Sequence, residues 1–368
     1  MTNREQEIID LIRQNPMITQ NELSEKLSIT RSSVAVHITN LMKKGLIKGK
    51  RYILSDEDYV CVVGGANVDI QGFPERPLVA HDSNPGRVKI SFGGVGRNIA
   101  ENTARLGVPT KLITAVGNDD YGKRILAEAE KCGMDAVHSL ASDDYPTSMY
   151  LSILDKTGDM SVAISQMNVL DKINAEFLKN RRQLIQNARL CVVDTNLSKE
   201  ALEYLADAFP AADFFLDTVS TAKAVKAQSV LCRMHTIKPN RLEAEKLSGI
   251  EIKSRDDLRR VGAFFLEKGV RRVVISLGPK GTYYNDGREE FILGAGPALV
   301  VNATGAGDAF MAGIVYGSLN GFPPVDTARF ASAASVLALT HENTISPNMS
   351  VKNVSEKMEA INDVERLS

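Results

Sequence analysis

Apolar residues recur along this chain with two different spacings, and the change of spacing marks a boundary near residue 55. Before it, Ile8, Leu11 and Ile12 fall at i, i+3 and i+4, the stripe of a first helix. Asn15-Pro16 ends that helix, because proline disfavours helical geometry in the residue before it. Thr19-Gln-Asn-Glu22 reads as a capping box for a second helix carrying Leu23 and Leu27. Ser28-Ile29 makes a short turn, and Thr30 caps a third helix. That helix buries Val34, Ile38 and Leu41 and lines an adjoining face with Ser33, His37, Asn40 and Lys44; Gly45 closes it. Residues 46–54 alternate around a glycine, as a small β-hairpin would. From residue 59 onward, short continuous apolar runs (59–63, 111–116, 190–194, 214–217 and 272–277) alternate with helical stretches such as 99–106, 121–132 and 258–268. Continuous apolarity suits strands covered on both faces. The pattern predicts an α/β fold, a doubly wound, mostly parallel sheet. Residues 89–92 and 147–165 alternate instead, with Asp155-Lys-Thr-Gly158 as a hairpin turn, and predict a small accessory β-sheet.

A chain of 368 residues with 43% hydrophobic and 24% charged residues is long enough for more than one folded domain. The expected division is 1–55 and 58–368. No apolar run approaches the ~18 residues of a membrane helix, and the polar start carries no signal-peptide pattern. Cys61, Cys132, Cys191 and Cys232 lie far apart with no C-x-x-C pair, which argues against a disulfide framework or a zinc finger and suggests a reducing, cytoplasmic setting.

The net charge of −1 conceals an asymmetry. Residues 1–55 carry nine Lys/Arg against five Asp/Glu, and residues 31–51 hold six basic residues and no acidic one. Such an excess points to a polyanionic partner for this segment alone. Three short helices, a tight turn and a basic hairpin resemble a winged helix-turn-helix of bacterial regulators. The resemblance implies duplex DNA as partner, with Arg31, Ser32, Ser33 and His37 facing base edges or phosphates, and Lys43, Lys44, Lys48, Lys50 and Arg51 on phosphates. A solvated helical bundle that docks on the larger domain or dimerises is the alternative.

Ligands of doubly wound sheets bind beyond the carboxyl ends of the strands, and three Gly-rich motifs read as following strands. They are Gly64-Gly-Ala-Asn-Val-Asp69, Gly93-Gly-Val-Gly-Arg-Asn98 and Asn302-Ala-Thr-Gly-Ala-Gly-Asp308. In the last, Gly305, Ala306 and Gly307 at a helix start leave backbone N–H groups unobstructed, a site for anionic oxygens. Asp308 beside them would repel a resting phosphate, but suits a base taking the proton of a hydroxyl that attacks phosphorus. A plain helix cap is the other use for such an aspartate. Gly117-Asn-Asp-Asp-Tyr-Gly122-Lys123 satisfies most of a P-loop, but Arg124 replaces the magnesium-binding Ser/Thr.

Paired at this separation, Gly-Gly-x-Gly-x-Asn and Thr-Gly-Ala-Gly-Asp-Ala resemble the two signatures of the ribokinase-like (PfkB) carbohydrate and nucleoside kinases, over residues 59 to the C-terminus. The resemblance implies ATP and Mg2+ as cofactors, Asp308 as catalytic base, and Gly305, Ala306 and Gly307 as the anion hole. It implies that Asp69, Gly93, Gly94 and Asn98 hold sugar hydroxyls. Asn240-Arg-Leu-Glu243 matches the element that orders magnesium, indirectly through Glu243, and the nucleotide phosphates; Ser276, Gly278 and Gly281 match the nucleotide-binding turn. The accessory sheet would be the family's lid, which often makes a homodimer contact. Asn302-Ala303 stand where many relatives have Asp-Thr, which leaves K+ dependence open.

Within the family the motifs look most similar to those of pseudouridine kinases. Val95 is neutral where many ribokinases carry a lysine near the sugar, which fits a substrate bearing a base. Pseudouridine phosphorylated on its 5′-hydroxyl is the expected reaction, with Asn67, Asn84 and Thr147 as candidate readers of the base. Another ribonucleoside, a simple sugar, and a ligand-sensing transcription regulator on a kinase fold are the alternatives.

Overall fold

The computed structural model describes residues 2–15, 18–47, 58–156 and 159–367. The chain divides into two compact units, Met1–Asp58 and Tyr59–Ser368. In the first, Thr2 and Thr19 each accept from the backbone of a glutamate three residues on, Glu5 and Glu22, which bonds back to the threonine's own N–H. These boxes start helices α1 (Asn3–Gln14) and α2 (Gln20–Leu27), and Thr30 caps α3 (Arg31–Lys43). Ser28 turns the chain between α2 and α3 at a φ of 53°. Ile8, Ile12, Leu23, Val34, Ile38 and Leu41 form the core that the apolar stripes predicted. The hairpin expected at 46–54, with Lys48, Lys50 and Arg51, lies outside the described residues.

The larger unit is built on ten strands. β1 (Val60–Val63) is flanked by β4 (Thr110–Ile113) and β10 (Leu190–Asp194). The sheet continues from β10 through β11 (Phe214–Asp217), β12 (Met234–Lys238) and β13 (Arg272–Ser276), all parallel. It ends in antiparallel β14 (Thr282–Asn285), β15 (Glu290–Leu293) and β16 (Val364–Arg366); β6 (Met134–Asp135) forms the other edge. Helices cover both faces, so β1 and β10 are buried throughout and apolar on both sides. The helices Ala306–Leu319 and Pro324–Leu339 pack closely because Gly313 faces Ala331: a Cβ at Gly313 would lie 2.5 Å from the Ala331 Cα.

A four-stranded sheet, ordered β3-β2-β8-β9, forms the lid from β2 (Asn67–Pro74), β3 (Gly86–Gly93), β8 (Met149–Leu154) and β9 (Met160–Gln166). Along β2, Val68 and Ile70 pack toward Val116 and Ile125. Asp69 and Gln71 project from the opposite face, which by register also carries Lys89, Ser91, Tyr150 and Ser152. Asn67 and Asp69 lie on β2, into which their motif continues directly. Two expectations need correction. The single run 111–116 is two strands; Thr114 interrupts it, and β5 (Ala115–Gly117) leaves the main sheet to pair with β7 (Leu140–Ser142). The Asn302 motif does not follow a strand directly, because β15 ends at Leu293 and residues 294–301 have no regular structure.

Candidate active site

Three adjacent parallel strands end on a charged residue at the same level: Asp194 on β10, Asp217 on β11 and Lys238 on β12 are register partners. All three are buried. An ion taken out of water needs a partner or hydrogen bonds. Asp194 accepts from the N–H groups of Gly65 and Asn196, each at 2.8 Å. Asp217 accepts from the Val219 N–H at 2.9 Å, and its other oxygen lies 3.0 Å from Lys238 Nζ. Burial alone would push the Lys238 ammonium down; Asp217 first, then Asp308 and Glu243, hold it above its ordinary value.

Asp308 stands in the first turn of the Ala306–Leu319 helix, 9% exposed. The Asn98 carboxamide donates to it at 2.8 Å, joining the glycine-rich motif after β3 to the one that opens this helix. Burial, reinforced by Asp217, pushes the Asp308 carboxyl up to about 7 against the opposing pull of Asn98 and Lys238, with Asp194 adding a further upward push. A carboxyl near neutrality suits a general base. Gly305 caps the helix at a φ of 83°, and no side chain bonds to the helix's first N–H groups. Those donors therefore fit anionic oxygens.

On the lid side, Asn67 Nδ2 donates to Asp69 at 2.7 Å. Burial raises the Asp69 carboxyl, while Asn67 and then Arg97 pull it back. A Cβ on Gly93 would collide with this carboxylate, and Gly94, at a φ of +99°, would place one 2.5 Å from the Gly65 carbonyl oxygen. Beneath the lid a cavity of about 1000 Å³ runs from Asp69, Gln71 and Tyr150 to Asn302, Thr304 and Thr344. Asp308 and Asn98 are not part of its wall.

Asn240 and Glu243 form a capping box at the start of the Arg241–Ser248 helix, and the Thr218 hydroxyl donates to Glu243 at 2.6 Å. Both Glu243 oxygens thus already accept hydrogen bonds. This donor set fits magnesium held through water, since Mg2+ keeps several waters and is bound largely by phosphates. Among the described residues no group of three or more His, Cys, Asp or Glu is placed to hold a metal ion directly. Asn240 bridges Ser276 at the end of β13, and the turn Gly278–Lys280 with Gly281 follows it. The Asn302 carboxamide donates to the Glu342 carbonyl at 3.1 Å and its oxygen accepts from the Thr304 N–H, so it braces the loop before Gly305.

The structure brings Asn98 and Asp308 into contact, and likewise Asn67, Asp69 and Gly93. It takes Asn84 and Thr147 out of contention as readers of a base. Asn84 closes its own exposed loop onto Val79, and Thr147 is bound to Asp119 and Gly117. The P-loop-like segment is a helix start in which Asp119 caps the Asp120–Lys131 helix. Sequence reasoning missed Lys238, Asp217, Asp194 and Thr218. For the first three, a charged residue closing a buried strand run was the available signal; Thr218, just after β11, gave none. In the N-terminal unit, Arg31, Ser32 and Ser33 are exposed at the start of α3, His37 is half-buried and Lys43 is exposed. Lys44 is engaged within the unit: its Nζ lies 2.8 Å from both oxygens of buried Glu5.

Residues 57–351 match the pfkB family of carbohydrate kinases, and residues 1–48 match a winged helix-turn-helix DNA-binding family. The pseudouridine kinase of Escherichia coli (strain K12) is 43% identical over 307 residues, covering 83% of this chain and 98% of that protein. The uncharacterized sugar kinase YeiI of the same organism is 38% identical over 358 residues, 96% of this chain and 98% of its own length. Arabidopsis thaliana ribokinase, solved with ribose and ATP, has the same fold: TM-score 0.75, 24% identity, 82% of this chain and 99% of that one.

Proposed function

The chain belongs to the pfkB family of carbohydrate kinases, behind a winged helix-turn-helix domain, and we propose that it transfers phosphate from ATP to the 5′-hydroxyl of pseudouridine. The contact between Asn98 and Asp308 carries this reading, because it links a hydroxyl-binding motif directly to a base poised near neutrality. In the proposed reaction Asp69, aligned by Asn67, accepts from the vicinal ribose hydroxyls, and Asn98, Gly93 and Gly94 fix the ring from the same side. Asp308 takes the proton of the 5′-hydroxyl as that oxygen attacks. The N–H groups of Gly305, Ala306 and Gly307 hold the oxygens of the transferring group, where preorganised donors lower the barrier most. ATP with Mg2+ supplies the phosphoryl group and the neutralising charge when bound. Asn240 and Glu243 would orient the metal's waters, and Ser276, Gly278 and Gly281 would receive the nucleotide.

The resemblance to a pseudouridine kinase over nearly that protein's whole length supports the choice of acceptor. Base reading then falls to the lid face, where Gln71 and Tyr150 line the cavity beside Asp69. An ATP-dependent phosphorylation screen over pseudouridine, uridine, other ribonucleosides and free sugars, with NMR location of the new phosphate, tests it. Pseudouridine 5′-phosphate as the best product is expected; faster turnover of free ribose or fructose would overturn the nucleoside assignment.

Duplex DNA is the proposed partner of the N-terminal domain, supported by its basic balance and by the exposed start of α3. A homodimer is proposed through the lid. Val88, Ile90, Val162 and Ile164 are exposed and lie by register on the face opposite Asp69.

A further inference from the structure

We propose that Lys238 is a catalytic residue whose ammonium contacts the phosphoryl group during transfer. The inference rests on the chain being an active kinase and not on which acceptor it prefers. Three observations lead to it. First, Lys238 is 5% exposed and pairs as an ion with Asp217 at 3.0 Å, while an ammonium carries three donors. Second, its Nζ lies 3.2 Å from where a Cβ on Gly307 would stand, so the cation sits against the backbone that opens the Ala306–Leu319 helix. The missing side chain at Gly307 is what leaves room between the helix start and the lysine. Third, the surroundings are acidic: Asp194, Asp217, Glu243 and Asp308 are all buried at this end of the sheet. Without Lys238, a phosphate entering among these groups would meet mainly negative side chains, with Lys223, near Asp194, to offset them. The same acidic groups keep Lys238 protonated, which makes it a fixed charge and not a proton donor.

Asp217 then serves as the resting partner of the ammonium, in the place a phosphoryl oxygen takes during the reaction. In the step itself, the acceptor oxygen forms its bond to phosphorus while the bond from phosphorus to the ADP oxygen breaks. The hydroxyl proton passes to Asp308, and Lys238 keeps all three of its own. Its contribution is charge on oxygens that become more exposed as the bonds exchange, the kind of interaction that acts in the transition state more than in the ground state.

The test must separate a catalytic role from a structural ion pair. Lys238→Met alone leaves Asp217 buried and unpaired and can cost the fold. The double variant Lys238→Met/Asp217→Asn removes both charges together and is the second construction to measure. For the folded variants, kcat should fall about 10²–10³-fold, the usual size of one lost transition-state donor. KM for the nucleoside and the affinity for ADP, which lacks the transferred group, should stay within a few-fold of wild type. The loss should persist at every pH between 6 and 9. A folded double variant that keeps more than a third of wild-type kcat overturns the proposal. So does a variant whose activity returns on changing the pH, since Lys238 would then only tune Asp308. Absence of turnover in the wild type across the acceptor screen would instead strike at the kinase premise.

Discussion

Replacing Asn98 with leucine should move the pH dependence of catalysis without abolishing it. In the proposed role of base Asp308 acts only when deprotonated, so kcat/KM should rise with pH and level off above its pKa of about 7. Asn98 donates to the carboxylate at 2.8 Å and so favours its charged form. A hydrogen bond to a charged group is worth about 1.5–3 kcal/mol. At 1.36 kcal/mol per pKa unit, its loss raises the pKa by roughly 1–2 units. Leucine is close in size to asparagine and keeps water from substituting for the lost donor. The ionised fraction at pH 7 then falls from about one half to between ~10% and ~1%, so activity there drops roughly 5–50-fold and recovers toward pH 9. Asp217, Lys238 and Asp194 also act on Asp308 and are untouched by the change. The assay is kcat/KM for the preferred acceptor from pH 5.5 to 9.5. The plateau height reports any lost grip on the sugar, and the position of the acid limb reports Asp308 alone. A limb that stays where it was, or moves to lower pH, would refute the coupling between Asn98 and the base.

Three further outcomes are expected. Asp308→Asn keeps shape but cannot accept a proton, so kcat should fall ~10²–10⁴-fold with little change in substrate affinity; a variant retaining a tenth of wild-type kcat would remove Asp308 from the role of base. Gly93→Ala drives a methyl group into the Asp69 carboxylate and should raise KM for the nucleoside roughly 10–100-fold with ATP binding unchanged, as isothermal titration of each ligand would check. For DNA, Lys43→Ala should reduce the salt slope of binding by about 1, whereas Lys44→Ala should chiefly lower the melting temperature of the N-terminal unit, because Lys44 holds buried Glu5. Equal slopes for wild type and Lys43→Ala, or no retention of any genomic fragment at low salt, would argue for a docking module in place of a DNA reader.

What was legible in the sequence, and what was not, divides by range along the chain. Elements set by local chemistry could be read: the Thr19 and Thr30 caps, the apolar stripe of α3, and the continuous strands β1, β10 and β11. The motifs at 93–98 and 302–308 were legible for the same reason, since a helix start needs only neighbours in sequence to present its N–H groups. Contacts between distant segments were not. Lys44 reads as one more basic residue beside Lys43, and only the fold of α1 against α3 reveals its tie to Glu5. Asn84 looks like a free polar group in a Gly/Pro-rich stretch until the loop closes on it. Three of the lid's four strands could be read, since 89–92 and 147–165 alternate and fall in β3, β8 and β9; β2 could not, because it runs straight on from a glycine motif.

The row of Asp194, Asp217 and Lys238 shows why the harder part of such a site escapes sequence reading. Each residue closes a buried apolar run and, taken alone, looks like the polar end of a strand. Only the parallel register sets the three side by side at the carboxyl edge, where ligands of this fold class bind. Burial raises the Asp308 carboxyl most; the two carboxylates there make it harder still to ionise and the lysine makes it easier, so strands far from Asp308 in sequence help set the pH at which it ionises. The motif supplies the carboxyl, and its burial gives most of the upward shift. The strand ends adjust it, Asp217 and Asp194 upward and Lys238 downward, so a buried copy of the motif without those charges would keep a raised carboxyl but lose this adjustment.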